Sequence, residues 1–217
     1  MHLSKPGAGA ILGHEAIYLE AYADPVGIWT IGGGHTAAAG GIAPRPGMVI
    51  TFAEAMRIFV EDMRKFEGRV SHAIRGEIIR LHYRFDSLVS FDFNTGAIVK
   101  GTVDDKLNRG DIDAGMATLR QYVNAGGKRL AGLDKRRREE EAMFRHGRYP
   151  ARKILVKDRV SAQGRYIDPA SIPWDGAADI PLDLDRSLPV PPLPDRKPAS
   201  DFVTDLFNLF KRIWRAL

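Results

Sequence analysis

Cysteine is absent from this chain of 217 residues. Its absence excludes a disulfide framework, a metal site built on thiolates and a cysteine nucleophile. Long apolar runs are missing as well, because no window approaches the ~20 apolar residues of a membrane-spanning helix. The N-terminal residues also lack an apolar stretch of signal-peptide length. We therefore expect neither a signal peptide nor a transmembrane segment.

The composition that remains is that of a globular protein. Hydrophobic residues make up 44% and charged residues 27%, which excludes a wholly disordered, collagen-like or integral membrane protein. Lys and Arg number 32 against 27 Asp and Glu, so the net charge is +5 and the isoelectric point is near 9.5. This excess of positive charge suits an anionic partner such as nucleic acid, a membrane surface or a cell wall. Charge alone does not choose among them.

Proline marks the predicted domain boundary. Eight of the 13 prolines lie between residues 151 and 200, in a segment without sustained periodicity. The length allows one domain of about 150 residues with an appendage. We predict a domain over residues 1–150, a proline-rich linker or strap over 151–200 and an amphipathic helix over 201–217. In that last segment, apolar residues recur at spacings of 1, 3 and 4.

Local patterns predict an α+β fold, with several helices and a small sheet. The run from Ala8 to Glu20 places Glu15 on an otherwise apolar helical face. A strand-like run at 28–31, followed by three glycines at 32–34, predicts a β-hairpin. Thr51 and Glu54 predict a capping box that starts a helix to about residue 66. Further helices are predicted over 77–92, 112–124 and 134–146.

Two acidic residues suggest glycoside hydrolysis. That reaction needs a protonated carboxylic acid and a second, ionised carboxylate, which different surroundings must keep in those states. Glu15 is the candidate acid, since loss of hydration on an apolar face favours the protonated form. Asp24, in a polar turn, is the candidate carboxylate, and the hydroxyl of Thr30 is placed to hold a water. The alternative is a half-buried glutamate at a helix end with an unrelated aspartate in a turn.

The segment GHEAIYLEAYADPVGIWTIGGGHT makes the pair more specific. It contains Glu15, eight residues, Asp24, five residues and Thr30, followed by a glycine turn. In this it resembles the catalytic segment of phage-type lysozymes, the endolysins of glycoside hydrolase family 24. The resemblance continues in the family's order through RPGMVITFAEA, LVSFDFNTGA, LNRGD and GGKRLAGLDKRRREEE. It covers about residues 8–146 and implies a mainly helical lysozyme-like domain with a small β-hairpin sheet.

The resemblance implies the chemistry. Glu15 would be the general acid, Asp24 would position or activate the water, and Thr30 would assist on the water's side. The reaction would be inverting hydrolysis of the β-1,4 bond between N-acetylmuramic acid and N-acetylglucosamine, without a metal or organic cofactor. One local departure is Ala131, where the family often has proline.

Other residues have two open interpretations each. Gly33 permits close approach of a ligand, and His35 either contacts substrate or braces its loop by hydrogen bonding. Asn94 either binds an N-acetyl sugar or caps its helix. Arg136 and Arg137 either pair with carboxylates near the catalytic glutamate or belong to a solvated charge run. The first three are the predicted substrate-binding residues.

The function expected from these features is a bacteriolytic muramidase used in phage-type host lysis. We expect a monomer that is made in the bacterial cytoplasm, acts on peptidoglycan of the periplasmic wall and does not bind nucleic acid. Residues 202–217 would either contact a membrane surface or dock on the domain. The alternatives are a non-enzymatic wall-binding or membrane-disrupting protein and a lytic transglycosylase. Asp24 and Thr30 favour hydrolysis over the transglycosylase, which typically needs no water-positioning aspartate.

Overall fold

The computed structural model of the protein describes residues 1–24, 27–100, 102–150, 152–160 and 166–174, with side chains after residue 150 described only at 154–157. These residues fall into two units. The first contains residues 1–11 and 63–150, and the second contains residues 12–62 and the strands that follow residue 151. The predicted helix over 201–217 lies outside the described residues.

Seven α-helices and seven strands occur in the described part of the chain. The helices are α1 (Lys5–Leu12), α2 (Phe52–Ala73), α3 (Gly76–Ile79), α4 (His82–Thr95), α5 (Val103–Asn108), α6 (Ile112–Leu119) and α7 (Ala131–His146). The strands are β1 (Ala16–Ala23), β2 (Trp29–Gly32), β3 (His35–Thr36), β4 (Asn124–Ala125), β5 (Lys128–Arg129), β6 (Arg152–Val160) and β7 (Tyr166–Trp174). The α+β class predicted from the sequence is confirmed, with helices predominating.

The second unit is organised around a five-stranded sheet in the order β3-β2-β1-β6-β7. Strand β2 pairs antiparallel with both β1 and β3, which confirms the predicted hairpin. Strand β6 pairs parallel with β1, and β7 pairs antiparallel with β6. These last two strands fall within the segment predicted as a linker or strap. The division of the chain at residue 150 stays a prediction.

The prediction of one helix from Ala8 to Glu20 is wrong. Helix α1 ends at Leu12, and the N–H of Glu15 donates to the Leu12 carbonyl at 3.2 Å to close a turn. Strand β1 begins at the next residue. Aromatic and β-branched side chains, such as Ile17, favour an extended backbone here, and pairing with β2 and β6 satisfies both edges of the strand. Sheet pairing therefore outweighs the helical spacing.

The capping box is confirmed, but helix boundaries shift. The Thr51 hydroxyl accepts from the N–H of Glu54 at 3.2 Å, and the Glu54 carboxylate accepts from the N–H of Thr51 at 2.7 Å. Helix α2 then runs to Ala73, past the predicted end at residue 66. The predicted helix over 77–92 is two helices, because Leu81 is extended, with φ −88° and ψ 125°.

Two further boundaries also differ, and one helix was not predicted. Helix α6 ends at Leu119 instead of residue 124, and α7 begins at Ala131 instead of residue 134. Helix α5 was not predicted from the sequence, because its six residues are too short for a periodic pattern to show.

Helix α4 is the centre of the first unit. Every residue from Phe85 to Thr95 is buried, so this helix has no solvent face along its last three turns. It packs against α7. Its polar residues therefore need partners inside the protein. No helix among the described residues has the length and apolar character to span a membrane.

Candidate active site

The second unit holds the three predicted catalytic residues around β1 and β2. Glu15 lies directly before β1 and is half-buried. Asp24 directly follows β1 and is 4% exposed, and Thr30 lies within β2 and is fully buried. A carboxylate thus stands at each end of β1, with a hydroxyl on its neighbouring strand.

A tight turn fixes Asp24. Its N–H donates to the Ile28 carbonyl at 3.0 Å, and its Oδ1 accepts from the N–H of Ile28 at 2.8 Å. Its carbonyl accepts from the N–H of Gly27 at 2.9 Å, at a positive φ of 84° that glycine adopts without strain. The backbone of Asp24 is therefore fixed by two hydrogen bonds of the turn, and one oxygen of its carboxylate by a third.

Thr30 is anchored from the same turn. Its hydroxyl donates to the Ile28 carbonyl at 3.3 Å. In the strand ladder it lies opposite Tyr22 of β1 on one side and Thr36 of β3 on the other. Cross-strand partners project to the same face of a sheet, so Tyr22 and Thr30 are side-chain neighbours.

The charges of both carboxylates affect the phenol of Tyr22. Burial raises the pKa of its phenol far above the ordinary value, and the neighbouring Tyr18 adds to the rise. The charges of Asp24 and Glu15 raise this pKa further, so both carboxylates act on one phenol. The ring of Tyr22 also packs on that of Tyr18, with centroids 4.3 Å apart. The phenol therefore stays protonated at every working pH.

His35 braces its loop, which is one of its two predicted roles. Its Nδ1 lies 3.0 Å from Asp62 Oδ2, and its Nε2 lies 2.8 Å from the Ile42 carbonyl. The side chain is 4% exposed. Burial lowers the pKa of His35, but hydrogen bonding and charge from Asp62 outweigh it, and the pKa is raised overall.

Gly33 lies in the turn between β2 and β3. The flanking glycines have φ values of 62° at Gly32 and 97° at Gly34, which explains the run of three glycines. At Gly33 a Cβ would lie 3.4 Å from Phe59 and 3.5 Å from Leu12, which are ordinary contacts. Its role in substrate binding stays a prediction.

Asn94 belongs to the first unit, unlike the residues above. It lies in α4 and is 9% exposed, and its Oδ1 accepts from Nη2 of Arg137 at 2.9 Å. The predicted capping role is not observed, because Gly96 caps the helix in the left-handed conformation, with φ 61° and its N–H on the Asp92 carbonyl. Sugar binding by Asn94 stays a prediction.

Of the two interpretations of Arg136 and Arg137, the solvated charge run is wrong. They are 3% and 0% exposed. Both pair with Glu140 one turn later, at 3.2 Å from Arg136 Nε and 2.8 Å from Arg137 Nε. Ser90 of α4 donates to the same carboxylate at 2.8 Å. Burial lowers the pKa of Arg137 to about 10, although the Glu140 charge opposes this shift.

Sequence reasoning missed one group of residues in each unit. If residues 8–20 are taken as a helix, it is not apparent that Tyr18, Tyr22 and Asp24 lie along one extended segment. The signal was present, since residues 22 and 24 share one face of an extended strand. Glu140 was missed because its partner on α4 is far away in the sequence.

Known proteins match this chain over the residues that carry the site. A family model described as "Phage lysozyme" matches residues 13–140, more than half of the chain. An endolysin of Acyrthosiphon pisum secondary endosymbiont phage 1 is 34% identical over 150 residues, which are 66% of this chain and 98% of that protein.

Solved structures agree with the sequence match. An endolysin from Escherichia coli O157:H7 phage FAHEc1 has 31% identity and a TM-score of 0.60, over 69% of this chain and 97% of that one. The muramidase domain of SpmX from Asticaccaulis excentricus has 26% identity and a TM-score of 0.58, over 67% and 99%. The chain is therefore a lysozyme-type hydrolase and belongs to the phage lysozyme family.

Proposed function

We propose that this protein is a bacteriolytic muramidase that hydrolyses the β-1,4 bond between N-acetylmuramic acid and N-acetylglucosamine in peptidoglycan. One observation carries the proposal: Glu15 and Asp24 lie directly before and directly after β1, and Thr30 lies opposite Tyr22 of that strand. The names of two similar proteins, an endolysin and a muramidase domain, support the same substrate.

The proposed mechanism gives each residue one task. Glu15 donates a proton to the glycosidic oxygen as the bond breaks. Asp24 accepts a proton from a water that attacks the opposite face of the sugar. The Thr30 hydroxyl donates to a backbone carbonyl, so its oxygen stays available to accept a hydrogen bond from that water. Because water attacks from the face opposite the leaving group, the anomeric configuration inverts.

The proposal also covers where the protein acts. Its net charge of +5 favours association with an anionic wall. We propose that the chain is made in the bacterial cytoplasm and acts as a monomer on peptidoglycan in the periplasm, during phage-type lysis.

Product analysis tests the reaction. The full chain is incubated with purified peptidoglycan, and the fragments are weighed by mass spectrometry. Hydrolysis gives reducing-end muropeptides, whereas a lytic transglycosylase gives anhydro products lighter by one water. Anhydro products, or no cleavage at all, would contradict the proposal.

Proton NMR of the first-formed anomer tests the mechanism, since initial release of the β-anomer would show retention and reject Asp24 as the residue that activates water.

The acid is tested by Glu15→Gln, which keeps the side-chain volume. General acid catalysis contributes about 10²- to 10⁴-fold, so we expect a loss of that size with the fold intact. Glu20→Gln, at a half-buried glutamate of the same strand, is the matched control and should retain activity. Activity of Glu15→Gln within twofold of the parent would exclude Glu15 as the acid.

A further inference from the structure

Strand β6 lies outside residues 13–140, the part of the chain that the family model matches. It nevertheless pairs with β1, the strand between the two carboxylates. In this pairing Lys157 is the partner of Tyr18. The sheet that carries the active-site residues is therefore extended by a strand that the family model does not include, and this strand brings a lysine next to β1.

The side chains alternate across these two strands. Ile17 and Val156 are partners and are buried, at 0% and 6% exposure. Tyr18 and Lys157, the next pair, are half-buried and lie on the other face. Leu155, two residues before Lys157 on that same face, is exposed. This second face is therefore open enough to contact a ligand.

The open face is continuous with the candidate active site. Lys157 Nζ lies 5.1 Å from the centroid of the Tyr18 ring, within the range of a cation–π interaction. Tyr18 packs on Tyr22, which lies opposite Thr30. A row of one ammonium and two aromatic rings thus leads from β6 to the catalytic hydroxyl.

We propose that Lys157, Tyr18 and Tyr22 form an accessory subsite that binds a carboxylate-bearing substituent of the glycan substrate. The ammonium supplies the charge, and the tyrosine rings supply a flat apolar surface for the sugar or its substituent. The proposal rests on the proposed function, because it assumes a peptidoglycan strand. In intact peptidoglycan the free carboxylates belong to the attached peptide, because the lactyl carboxyl of muramic acid is joined to that peptide by an amide bond.

The test compares variants on three substrates. The variants of the full chain are Lys157→Met, which keeps an apolar stem over Tyr18, Lys157→Arg, which keeps the charge, and the control Lys128→Met, at an exposed lysine of β5. The substrates are intact peptidoglycan, glycan strands stripped of peptide by an amidase, and peptidoglycan whose carboxyl groups have been converted to neutral amides. KM and kcat are measured from released reducing ends, and thermal unfolding checks the fold.

We expect Lys157→Met to raise KM on intact peptidoglycan by about two- to fivefold, the worth of a partly exposed charge pair, with kcat within twofold of the parent. Lys157→Arg and Lys128→Met should match the parent. On the neutral amide substrate the Lys157→Met effect should disappear. Amidase treatment frees the lactyl carboxylate, so an effect that persists on peptide-free strands would show that the subsite also accepts this carboxylate, and an effect that disappears there would show that the subsite is specific for a peptide carboxylate.

Two results would overturn the subsite while leaving the proposed function intact. One is an unchanged KM for Lys157→Met on every substrate, and the other is the same rise on charged and neutral substrates. A parent that releases no reducing ends would instead reject the proposed function. Should Lys157→Met fail to fold, Lys157→Gln, which also removes the charge and keeps a polar side chain, takes its place, and the same two results would overturn the subsite.

Discussion

Tyr22 lies directly opposite Thr30 across the antiparallel pairing of β1 and β2. The phenol is held protonated by burial and by the charges of Asp24 and Glu15. Both carboxylate charges thus act on a neutral phenol, which does not repel them. In the mechanism proposed above, this relation would make Tyr22 a positioning residue for the attack of water.

The first prediction concerns this hydroxyl. Tyr22→Phe keeps the ring and removes the hydrogen bond to Tyr18, so we expect kcat to fall by about two- to tenfold, with KM within twofold of the parent. Tyr149→Phe is the matched control, since Tyr149 also donates a partly buried hydrogen bond, at 2.6 Å to Asp86, but belongs to the first unit. Its kcat should not change. Full kcat in Tyr22→Phe would show that the hydroxyl serves packing alone.

The second prediction concerns Glu140, whose carboxylate is shared by two buried guanidinium groups. Glu140→Gln leaves Arg136 and Arg137 without this carboxylate in the interior, and breaking a buried ion pair in this way costs about 3–5 kcal/mol. Urea unfolding at neutral pH measures the loss.

Glu141→Gln, at the next residue, is the control for this loss. Glu141 pairs with Arg120 and Arg145 at a partly exposed position, where an ion pair contributes about 1 kcal/mol or less. Equal losses in the two variants would mean that the Glu140 network is no more important than a surface pair.

The third prediction is a pH dependence of stability at His35. The carbonyl of Ile42 and the carboxylate of Asp62 both accept hydrogen bonds, so a ring that satisfies both must carry two protons. The folded protein therefore holds this proton more tightly than the unfolded chain, whose histidine has a pKa of 6.5. The stabilisation is complete below that value and is lost as the pH rises through the raised, folded pKa.

Urea unfolding across this pH range tests the third prediction. His35→Gln should lower the free energy of unfolding by about 1–3 kcal/mol below pH 6, and by less above the folded pKa. His72→Gln, at an exposed histidine of α2, should give no such pH-dependent difference. A deficit of His35→Gln that stays constant with pH would show that the ring is neutral in the folded state.

Local sequence signals predicted the parts of this fold that local interactions determine. The capping box at Thr51 and Glu54 closes within four residues, and the glycines at 32–34 adopt a turn whose φ values require them. The spacing of the candidate catalytic residues was identified for a different reason, namely its resemblance to a family. Its geometric setting was not predicted.

Long-range pairing explains why the sequence-based interpretations of Glu15 and of the arginines near residue 137 were wrong. Glu15 was assigned to a helix because the spacing of its apolar neighbours fits one, but β1 is completed by β6, more than 130 residues later in the sequence. Likewise, a run of arginines normally indicates a solvated surface. Here Ser90 and Glu140 supply buried partners that no local pattern around Arg137 reveals.

The last prediction contrasts two glycines of the first unit, both in helices. A Cβ at Gly7 in α1 would lie 2.5 Å from Cγ of Asp86, closer than real side-chain contacts allow. Asp86 is fully buried and accepts from the N–H of Ser4 at 3.0 Å and from Tyr149 at 2.6 Å. Gly7→Ala must displace this carboxylate, so we expect a loss of about 1–3 kcal/mol in the free energy of unfolding.

Gly68 in α2 is exposed, and a Cβ at this position would have no atom of another residue within 4 Å, so alanine meets no obstacle there. Gly68→Ala should raise the free energy of unfolding by about 0.5–1 kcal/mol, because alanine restricts the unfolded chain and favours the helix. Urea unfolding of both variants gives the two values under one condition. Because helix propensity alone would stabilise both variants, a stabilised Gly7→Ala would show that Asp86 does not hold the start of α1 in the arrangement described.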